Sequence, residues 1–263
     1  MTTKMEVEDV LHLVANRVEV LTLLEGTRLQ KREIVEELDY SRSTVNRVIT
    51  RLATAGLVDD APSGCQTTFV GSLIANEYSA YRETVEDVLR AQRVLTSLPP
   101  DTDLPSTVFA DAEVVTPAGP RPYEPYHAVE DVLRTPGPDG AIRVYVPAFS
   151  NPRGLELAQQ LARTVPLEIV FSEELVAELT ADLTDGFEAL VEHELFSGYC
   201  TADGPRYTLI VADAESETKA AIVMHTADRN LSGVLVTSNP EALRWIDRRY
   251  AEIKAESDPL EAS

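Results

Sequence analysis

The stretch that decides the fold of the first part of this chain is residues 30–56, which read QKREIVEELDYSRSTVNRVITRLATAG. Apolar residues recur in it at helical spacing, at Ile34, Val35 and Leu38 and again at Val45, Val48, Ile49 and Leu52. Asp39 and Tyr40 separate the two runs, Ser41 is a good N-cap, and Gly56 ends the second run. The pattern predicts two helices joined by a tight turn.

The flanking sequence adds a helix before this pair and a hairpin after it. Helical spacing of apolar residues covers Val7 to Leu24, and Gly26 ends that predicted helix. Beyond Gly56 the sequence predicts a short strand, a turn at residues 61–64 and a returning strand over residues 65–70. The expected order is therefore helix, helix, helix and hairpin.

This order resembles the winged helix-turn-helix of archaeal and bacterial regulators, and the resemblance covers about Val7 to Gly71. In those families an "x-T-x-x-G" pattern leads from the wing to the next helix, and Thr67 or Thr68 stands in the threonine position here. The resemblance implies that residues 1–71 form a DNA-binding domain whose partner is double-stranded DNA.

The residue types of the predicted second helix fit that partner. Arginine and asparagine side chains at the N-terminal end of such a helix contact guanine and adenine in the major groove. We expect base contacts from Arg42, Ser43, Thr44, Asn46 and Arg47, phosphate contacts from Lys31, Arg32 and Arg51, and further DNA contacts from Ser41, Ser63, Gly64 and Gln66. The alternative is that these residues form only the solvated face of an amphipathic helix.

Charge is distributed unevenly along the chain. Its 263 residues include 44 acidic and 23 basic ones, for a net charge of −21, a pattern that resembles proteins of halophiles. Residues 1–72 carry a balance of −3 and residues 73–263 a balance of −18, while residues 28–51 hold six basic and four acidic residues. The locally positive segment favours DNA docking there. An acidic surface that binds cationic partners is the alternative explanation of the total charge.

Location and cofactors can be predicted from what the sequence lacks. No apolar run is long enough to span a membrane, the N-terminus lacks the apolar segment of a secretory signal, and Cys65 and Cys200 form no Cys-x-x-Cys pair. We expect a cytoplasmic protein without a metal or other cofactor. Cys65 lies close to the predicted hairpin tip, where it is either a redox-sensitive thiol or a small strand residue.

Residues 72–98 predict one long connecting helix. Its apolar stripe has heptad spacing, at Ile74, Tyr78, Tyr81, Val85, Val88, Gln92 and Leu95. Such a stripe favours pairing with a second copy of the chain as a homodimer, although it is also compatible with packing on the protein's own domains. Pro99 and Pro100 end the helix, and we expect residues 99–110 to be a linker.

Residues 111–263 alternate between strand-like and helical runs, which predicts a mixed α/β sheet with helices on both faces. The expected strands are 113–116, 142–146, 167–171, 207–212, 220–225 and 233–236, and the expected helices are 126–133, 155–163, 174–183, 186–195 and 240–254.

The chain as a whole resembles archaeal, largely haloarchaeal, winged-helix regulators with a FilR-type middle domain. The resemblance rests on Ala15–Leu21, Tyr81–Val85, Val146–Ser150 and Ile169–Ser172 and on the order of elements. It implies transcription regulation by a DNA-binding domain and a C-terminal sensor domain that responds to a small-molecule or metabolic signal.

Two loops at strand ends are candidates for an effector site, because ligands of open α/β sheets bind beyond the carboxyl ends of strands. The candidate ligand-binding residues are Phe149, Ser150, Asn151, Arg153, Phe171 and Ser172. The alternative is that Ser150 or Asn151 and Ser172 are only helix N-caps.

Catalysis is the other function class that we weighed. The sheet pattern is compatible with a phospholipase-D-like domain, but none of the four histidines begins the His-x-Lys pair of those enzymes. His225, near Asp228 and Arg229, is the closest approach to a catalytic group. We expect a protein that is not an enzyme; a phospholipase-D-like relic and a winged-helix module that binds protein instead of DNA remain as alternatives.

Overall fold

The computed structural model of the protein describes residues 5–117, 120–137, 139–149, 153–182, 184–226 and 229–260. The chain divides into two compact units, residues 1–85 and residues 86–263.

The N-terminal unit consists of helices followed by a two-stranded antiparallel hairpin. Its elements are α1 (Val7–Ala15), α2 (Val18–Leu23), α3 (Lys31–Leu38), α4 (Arg42–Thr54), β1 (Val58–Ala61), β2 (Gly64–Thr67) and the first part of α5 (Phe69–Leu95). Apolar side chains of these elements form one buried core, to which α4 contributes Val45, Val48, Ile49 and Leu52. The predicted pair of helices and the hairpin are present.

Two local predictions in this unit were wrong. The single helix predicted over Val7–Leu24 is broken after Ala15, where the Asn16 side chain donates to the carbonyl of His12 (2.7 Å) and the backbone of Arg17 leaves the helical region. Residues 69 and 70, predicted as strand, begin α5 instead. They are helical because the Thr68 hydroxyl accepts the backbone N–H of Gly71 (3.0 Å) and so caps α5.

The C-terminal unit contains the remaining elements. A single-turn 3₁₀ helix spans Ser106–Phe109; the strands are β3 (Glu113–Val115), β4 (Ala141–Val146), β5 (Leu167–Ser172), β6 (Phe196–Thr201), β7 (Tyr207–Asp213), β8 (Thr218–His225), β9 (Leu231–Thr237) and β10 (Asp258–Pro259), and the helices are α6 (Glu124–Leu133), α7 (Gly154–Ala162), α8 (Glu173–Asp182), α9 (Thr184–Val191) and α10 (Pro240–Ala255).

The described strands of this unit form one mixed sheet with the order β10-β6-β5-β4-β7-β8-β9-β3. Strands β4, β5 and β6 are parallel, whereas β7 is antiparallel to both β4 and β8. The strand β8 therefore runs in the same direction as β4, and the carboxyl ends of β4, β5, β6 and β8 lie at one edge of the sheet. The predicted mixed sheet is confirmed.

Helices cover both faces of the sheet, as the sequence predicts. Helices α6, α7, α8 and α9 pack on one face, and α10, the end of α5 and the 3₁₀ helix pack on the other. Along β7, Leu209 and Val211 face the second layer while Ile210 and Ala212 face the first, which is the period-two alternation of a strand buried on both sides.

The unit boundaries differ from the predicted domain boundaries. The end of α5 buries Ala91 and Val94 in the core of the C-terminal unit, and the predicted linker 99–110 contributes the buried Val108 and Phe109 of the 3₁₀ helix to the same core. The sequence also missed β6 and β10, and its helix 186–195 extends four residues too far, up to the residue before β6. Small strand residues such as the exposed Ser197 and the half-buried Gly198 produce no clear strand pattern.

Candidate nucleic-acid interface and ligand cavities

Helix α4 separates its buried and exposed side chains sharply. At about 100° per residue, its four buried apolar residues occupy one arc of the helix, while Arg42, Ser43, Asn46, Arg47, Thr50 and Arg51 are exposed on the opposite side. The Ser41 hydroxyl accepts the backbone N–H of Thr44 (3.1 Å) and so caps the helix. The exposed face therefore begins at a well-ordered N-terminus.

This face is positively charged. The sequence of α4 contains no acidic residue. Among the ion pairs of the described residues, none involves Arg42, Arg47 or Arg51. The exposed surface of α4 therefore carries three guanidinium groups that have no ion-pair partner among the described residues.

The other predicted DNA residues of the helices are in different surroundings. Lys31 of α3 donates to Asp60 of β1 (2.7 Å), so its charge is compensated within the unit. Arg32, next to it, is exposed and forms no ion pair among the described residues. Ser41 is engaged in the cap, with Ser43 Oγ at 2.9 Å and Thr44 Oγ1 at 2.8 Å from its own Oγ.

The hairpin is held by a residue that sequence reasoning did not place in the site. Arg28 donates to the carbonyl of Gly64 (2.9 Å), to Asp59 (2.8 Å) and to Gln66 (3.2 Å), and one of its nitrogens lies 3.5 Å from Ser63 Oγ. Arg28 therefore contacts all three hairpin residues that the sequence predicts to bind DNA, Ser63, Gly64 and Gln66. Paired backbone hydrogen bonds between Leu29 and Cys65 extend the hairpin by a further bridge.

Cys65 is buried in the core of the N-terminal unit, and its Sγ lies 3.4 Å from Asp60 Oδ1. Burial and the adjacent carboxylate raise the pKa of the thiol to about 11. The thiol is therefore protonated at neutral pH, which disfavours reaction with oxidants.

Two of the predicted effector residues of the C-terminal unit are in contact, since the rings of Phe149 and Phe171 meet edge to face with centroids 6.5 Å apart. Ser150 and Asn151 lie outside the described residues. Phe171 is fully buried against Phe187, with ring centroids 5.7 Å apart, and it borders neither of the two cavities described below. Arg153 is exposed at the start of α7.

Ser172 caps α8. Its hydroxyl accepts the backbone N–H of Leu175 (3.1 Å) and donates to the carbonyl of Pro147 (2.8 Å), as the N-cap alternative predicts. Its side chain also borders a cleft, so that Ser172 and Phe149 are the described candidate residues that line a cavity.

Two cavities meet at the sheet edge where β4, β5, β6 and β8 end. The larger is a polar cleft of about 720 Å³, bordered by Tyr145, Ser172, Glu173, Arg206 and Arg229 among others. The smaller, of about 130 Å³, lies between the sheet and helices α6 and α7 and has an almost wholly apolar lining. Ala148 and His225 border both cavities.

His225 is the last residue of β8 and is only 7% exposed. Its Nε2 lies 3.1 Å from the Thr208 hydroxyl, which is buried as well, whereas its Nδ1 is buried and has no hydrogen-bond partner among the described residues. Burial lowers the pKa of His225 to about 4, so the imidazole is neutral at pH 7. The sequence identified the residue but not the cavities that it borders.

No helix among the described residues is long and apolar enough to cross a membrane. Within the same part of the chain, no group of three or more histidine, cysteine, aspartate or glutamate side chains is arranged to hold a metal ion.

Comparison with known proteins identifies two families. Residues 5–90 match the family described as HVO_A0261 N-terminal domain. Residues 122–256 match the family described as methanogenesis regulatory protein FilR1, middle domain, and this match suggests a regulatory role. No curated protein matches the chain.

Among solved structures, the phospholipase D family member Nuc from Salmonella typhimurium is similar to 57% of this chain and 98% of its own, with 10% sequence identity and a TM-score of 0.43. A similarity this low supports no inference. Because the second family match covers just over half of the residues, the chain belongs to the FilR1 middle-domain family.

Proposed function

We propose that this protein is a transcription regulator that binds double-stranded DNA through its N-terminal unit and senses a small-molecule or metabolic signal through its C-terminal unit. The observation that carries the proposal is the exposed face of α4, with three uncompensated arginines and no acidic residue on a chain of net charge −21. On so acidic a molecule, a helix without any carboxylate is the exception that requires a reason.

In this proposal α3 and α4 form a helix-turn-helix, with α4 in the major groove and the β1–β2 hairpin as the wing. Arg42, Asn46 and Arg47 lie on the exposed face near the capped end of α4 and contact bases, while Arg32 and Arg51 contact phosphates. Lys31 has the smaller role, because Asp60 already compensates its charge.

The sensor half of the proposal rests on two other findings. The family match of the C-terminal unit is to a regulatory protein's middle domain. The two cavities lie where ligands bind in open α/β sheets, beyond the carboxyl ends of strands.

The test is fluorescence anisotropy with duplexes from the region upstream of its own gene and with shuffled duplexes, at several KCl concentrations. Arg47→Ala is expected to weaken binding to the native duplex by about 5- to 150-fold, the range of one lost bidentate base contact. Arg51→Ala is expected to weaken binding to the native and the shuffled duplexes by the same factor. It is also expected to make the affinity less dependent on the KCl concentration. Arg134→Ala, on the exposed surface of α6, is the control.

Equal affinity of the wild-type protein for native and shuffled duplexes would contradict sequence-specific regulation. An absence of DNA binding by the folded protein at every KCl concentration would favour a protein-interaction module.

We also propose that the regulator is a homodimer whose contact lies in the middle of α5. Both ends of the predicted heptad stripe pack within the protein. Ile74 and Tyr78 contact the core of the N-terminal unit, and Val88 and Leu95 contact the core of the C-terminal unit. Between them the side chains at 81, 85 and 89 are exposed at intervals of four residues: Tyr81 by 67%, Val85 by 36% and Leu89 by 57%. A second copy would cover this strip and present two α4 helices to two half-sites.

Sedimentation equilibrium tests the dimer. The wild-type protein is expected to be dimeric, and the double variant Tyr81→Ser, Leu89→Ser to be monomeric with unchanged helix content, because both side chains are exposed. Tyr123→Ser, at an exposed tyrosine elsewhere, is the control. A double variant that remains dimeric would show that the contact is elsewhere, and a monomeric wild type would refute the dimer.

A further inference from the structure

The strongest unexplained feature of the C-terminal unit is the end of strand β8. The register between β8 and β9 shifts between Met224 and His225, and His225 lies on the same side of the sheet as Val223, as the alternation of a strand requires. His225 is buried there with one ring nitrogen on Thr208, and the other, Nδ1, has no partner among the described residues. A buried polar atom without a partner is costly, so this arrangement favours a partner from outside the described part of the chain, such as a ligand.

The smaller cavity does not supply that partner as water. Apart from Glu130, Thr208, His225 and the hydroxyl of Tyr126 its lining is apolar, with side chains from the sheet and from α6 and α7, such as Val144, Leu157 and Leu161. Apolar cavities of about this size, ~150 Å³, stay dry and accept benzene. The cavity of about 130 Å³ therefore fits a single aromatic ring or a short branched alkyl group.

The chemistry of His225 selects the polar end of the ligand. A neutral imidazole has one N–H donor and one acceptor nitrogen, and the Thr208 hydroxyl pairs with Nε2 in either tautomer. A ligand hydroxyl satisfies Nδ1 in both cases, because it donates and accepts.

The charges of the adjacent cleft favour a neutral ligand. Arg229 is held by Glu174 (2.8 Å) and by Glu178, so it is not available to an anion. Glu173 and Arg206, which also border the cleft, carry opposite charges. Neither sign of ligand charge is preferred.

We propose that the C-terminal unit binds a small uncharged hydroxyl compound of the phenol class, whose ring occupies the apolar cavity and whose hydroxyl hydrogen-bonds to His225 Nδ1. The binding follows from the C-terminal unit alone. That the bound compound is the signal that changes DNA binding rests on the regulator function proposed above.

The probes are phenol and toluene, which have nearly the same shape and differ in the hydroxyl group, with isothermal titration calorimetry on the full-length protein. We expect the wild-type protein to bind phenol about 5-fold more tightly than toluene, the factor for one net hydrogen bond. His225→Phe is expected to abolish this preference and to retain toluene binding. Ala158→Leu, which extends a side chain into the cavity, is expected to abolish both. His127→Gln, at an exposed histidine that borders neither cavity, is the control.

NMR on the wild-type protein makes the test independent of how well the variants fold. Phenol should shift the Nδ1 resonance of His225 and give intermolecular NOEs to the methyl groups of Leu157 and Leu161. Three results would overturn the proposal: that neither probe binds, that the NOEs arise from other residues, or that phenol and toluene bind with equal affinity.

Anisotropy with the native duplex separates this proposal from the function. DNA binding that phenol does not change would limit the site to ligand binding without a regulatory effect. If the protein does not bind DNA, the proposed regulator function is refuted, but the calorimetric test of ligand binding still stands.

Discussion

At the scale of single residues, burial decides which polar groups of the C-terminal unit behave unusually. His225 and Thr208 lie between the sheet and the α6–α7 layer, where apolar side chains surround them. Desolvation by burial is the cause of the lowered pKa of His225.

This burial predicts a specific dependence of stability on pH. In the unfolded chain His225 has an ordinary pKa near 6.5, whereas in the folded protein its pKa is about 4. Between these values the unfolded state binds a proton that the folded state does not, so stability falls as the pH decreases from about 6.5 towards 4. His225 should account for a loss of about 2 kcal/mol between pH 7.5 and pH 5.

Urea unfolding at several pH values measures this effect. The His225→Gln variant, which has no titrating ring, should lose about 2 kcal/mol less than the wild type over the same range. Identical pH profiles for the two proteins would mean that the pKa of His225 is the same in the folded and the unfolded state.

The residue scale also shows what the sequence does not reveal. The helix caps at Ser41 and Ser172 could be predicted because a cap depends on residues within three positions along the chain. The cavity beside His225 could not, because it is formed by α6, α7 and several strands that are distant in sequence. Arg28 was missed as the organiser of the hairpin for the same reason, since its partners are 31 to 38 positions away.

At the scale of elements, prediction worked where periodicity is strong. Helix α4 and the buried strands β7 and β8 follow the predicted ranges closely, because their apolar residues recur without interruption. The heptad stripe of α5 was harder to interpret, because the same spacing serves two different cores and an exposed strip between them. Spacing predicts that a face is apolar but does not predict what covers it.

The junction between the hairpin and α5 predicts a strong mutational effect. Thr68 connects the elements through its bond to the carbonyl of Gly56 (2.7 Å) and its cap on Gly71. A Cβ at position 71 would lie 2.1 Å from the carbonyl oxygen of Leu57 and 2.8 Å from Thr67 Cγ2. The backbone of α5 and the residue before β1 would have to separate, so Gly71→Ala should destabilise the N-terminal unit by about 3 kcal/mol.

The matched control is Gly137→Ala, where an added Cβ meets nothing within 4 Å, and its effect should stay within about 0.5 kcal/mol. Hydrogen exchange measures where the destabilisation occurs. Amides in α4 and the hairpin should exchange faster in Gly71→Ala, whereas amides of the C-terminal sheet should not. If the amides of the N-terminal unit exchange as slowly in Gly71→Ala as in the wild type, the start of α5 can move away from Leu57 without loss of stability.

At the scale of the whole molecule, the net charge of −21 dominates. Carboxylates without partners repel one another, and this repulsion is screened as the Debye length falls from roughly 10 Å at 0.1 M salt to 3 Å at 1 M. Glu188 and Glu192 illustrate this repulsion, because they stand four positions apart at the C-terminal end of α9. Both are exposed, and neither forms an ion pair among the described residues. Both the like-charge spacing and the negative end of the helix dipole oppose them.

The resulting prediction is that KCl stabilises this protein by screening. The Tm should rise by several degrees between 0.1 M and 2 M KCl, and the double variant Glu188→Gln, Glu192→Gln should raise the Tm at 0.1 M KCl by about 2–4 °C, with a smaller gain at 2 M. Glu241→Gln is the control for net charge, because Glu241 lies in the first turn of α10 and 3.6 Å from Arg244, where a negative charge is favourable. We expect this control to leave the Tm unchanged or lower. Differential scanning calorimetry decides between the explanations: an equal gain from Glu241→Gln would mean that total charge, and not the placement of individual carboxylates, sets the stability at low salt.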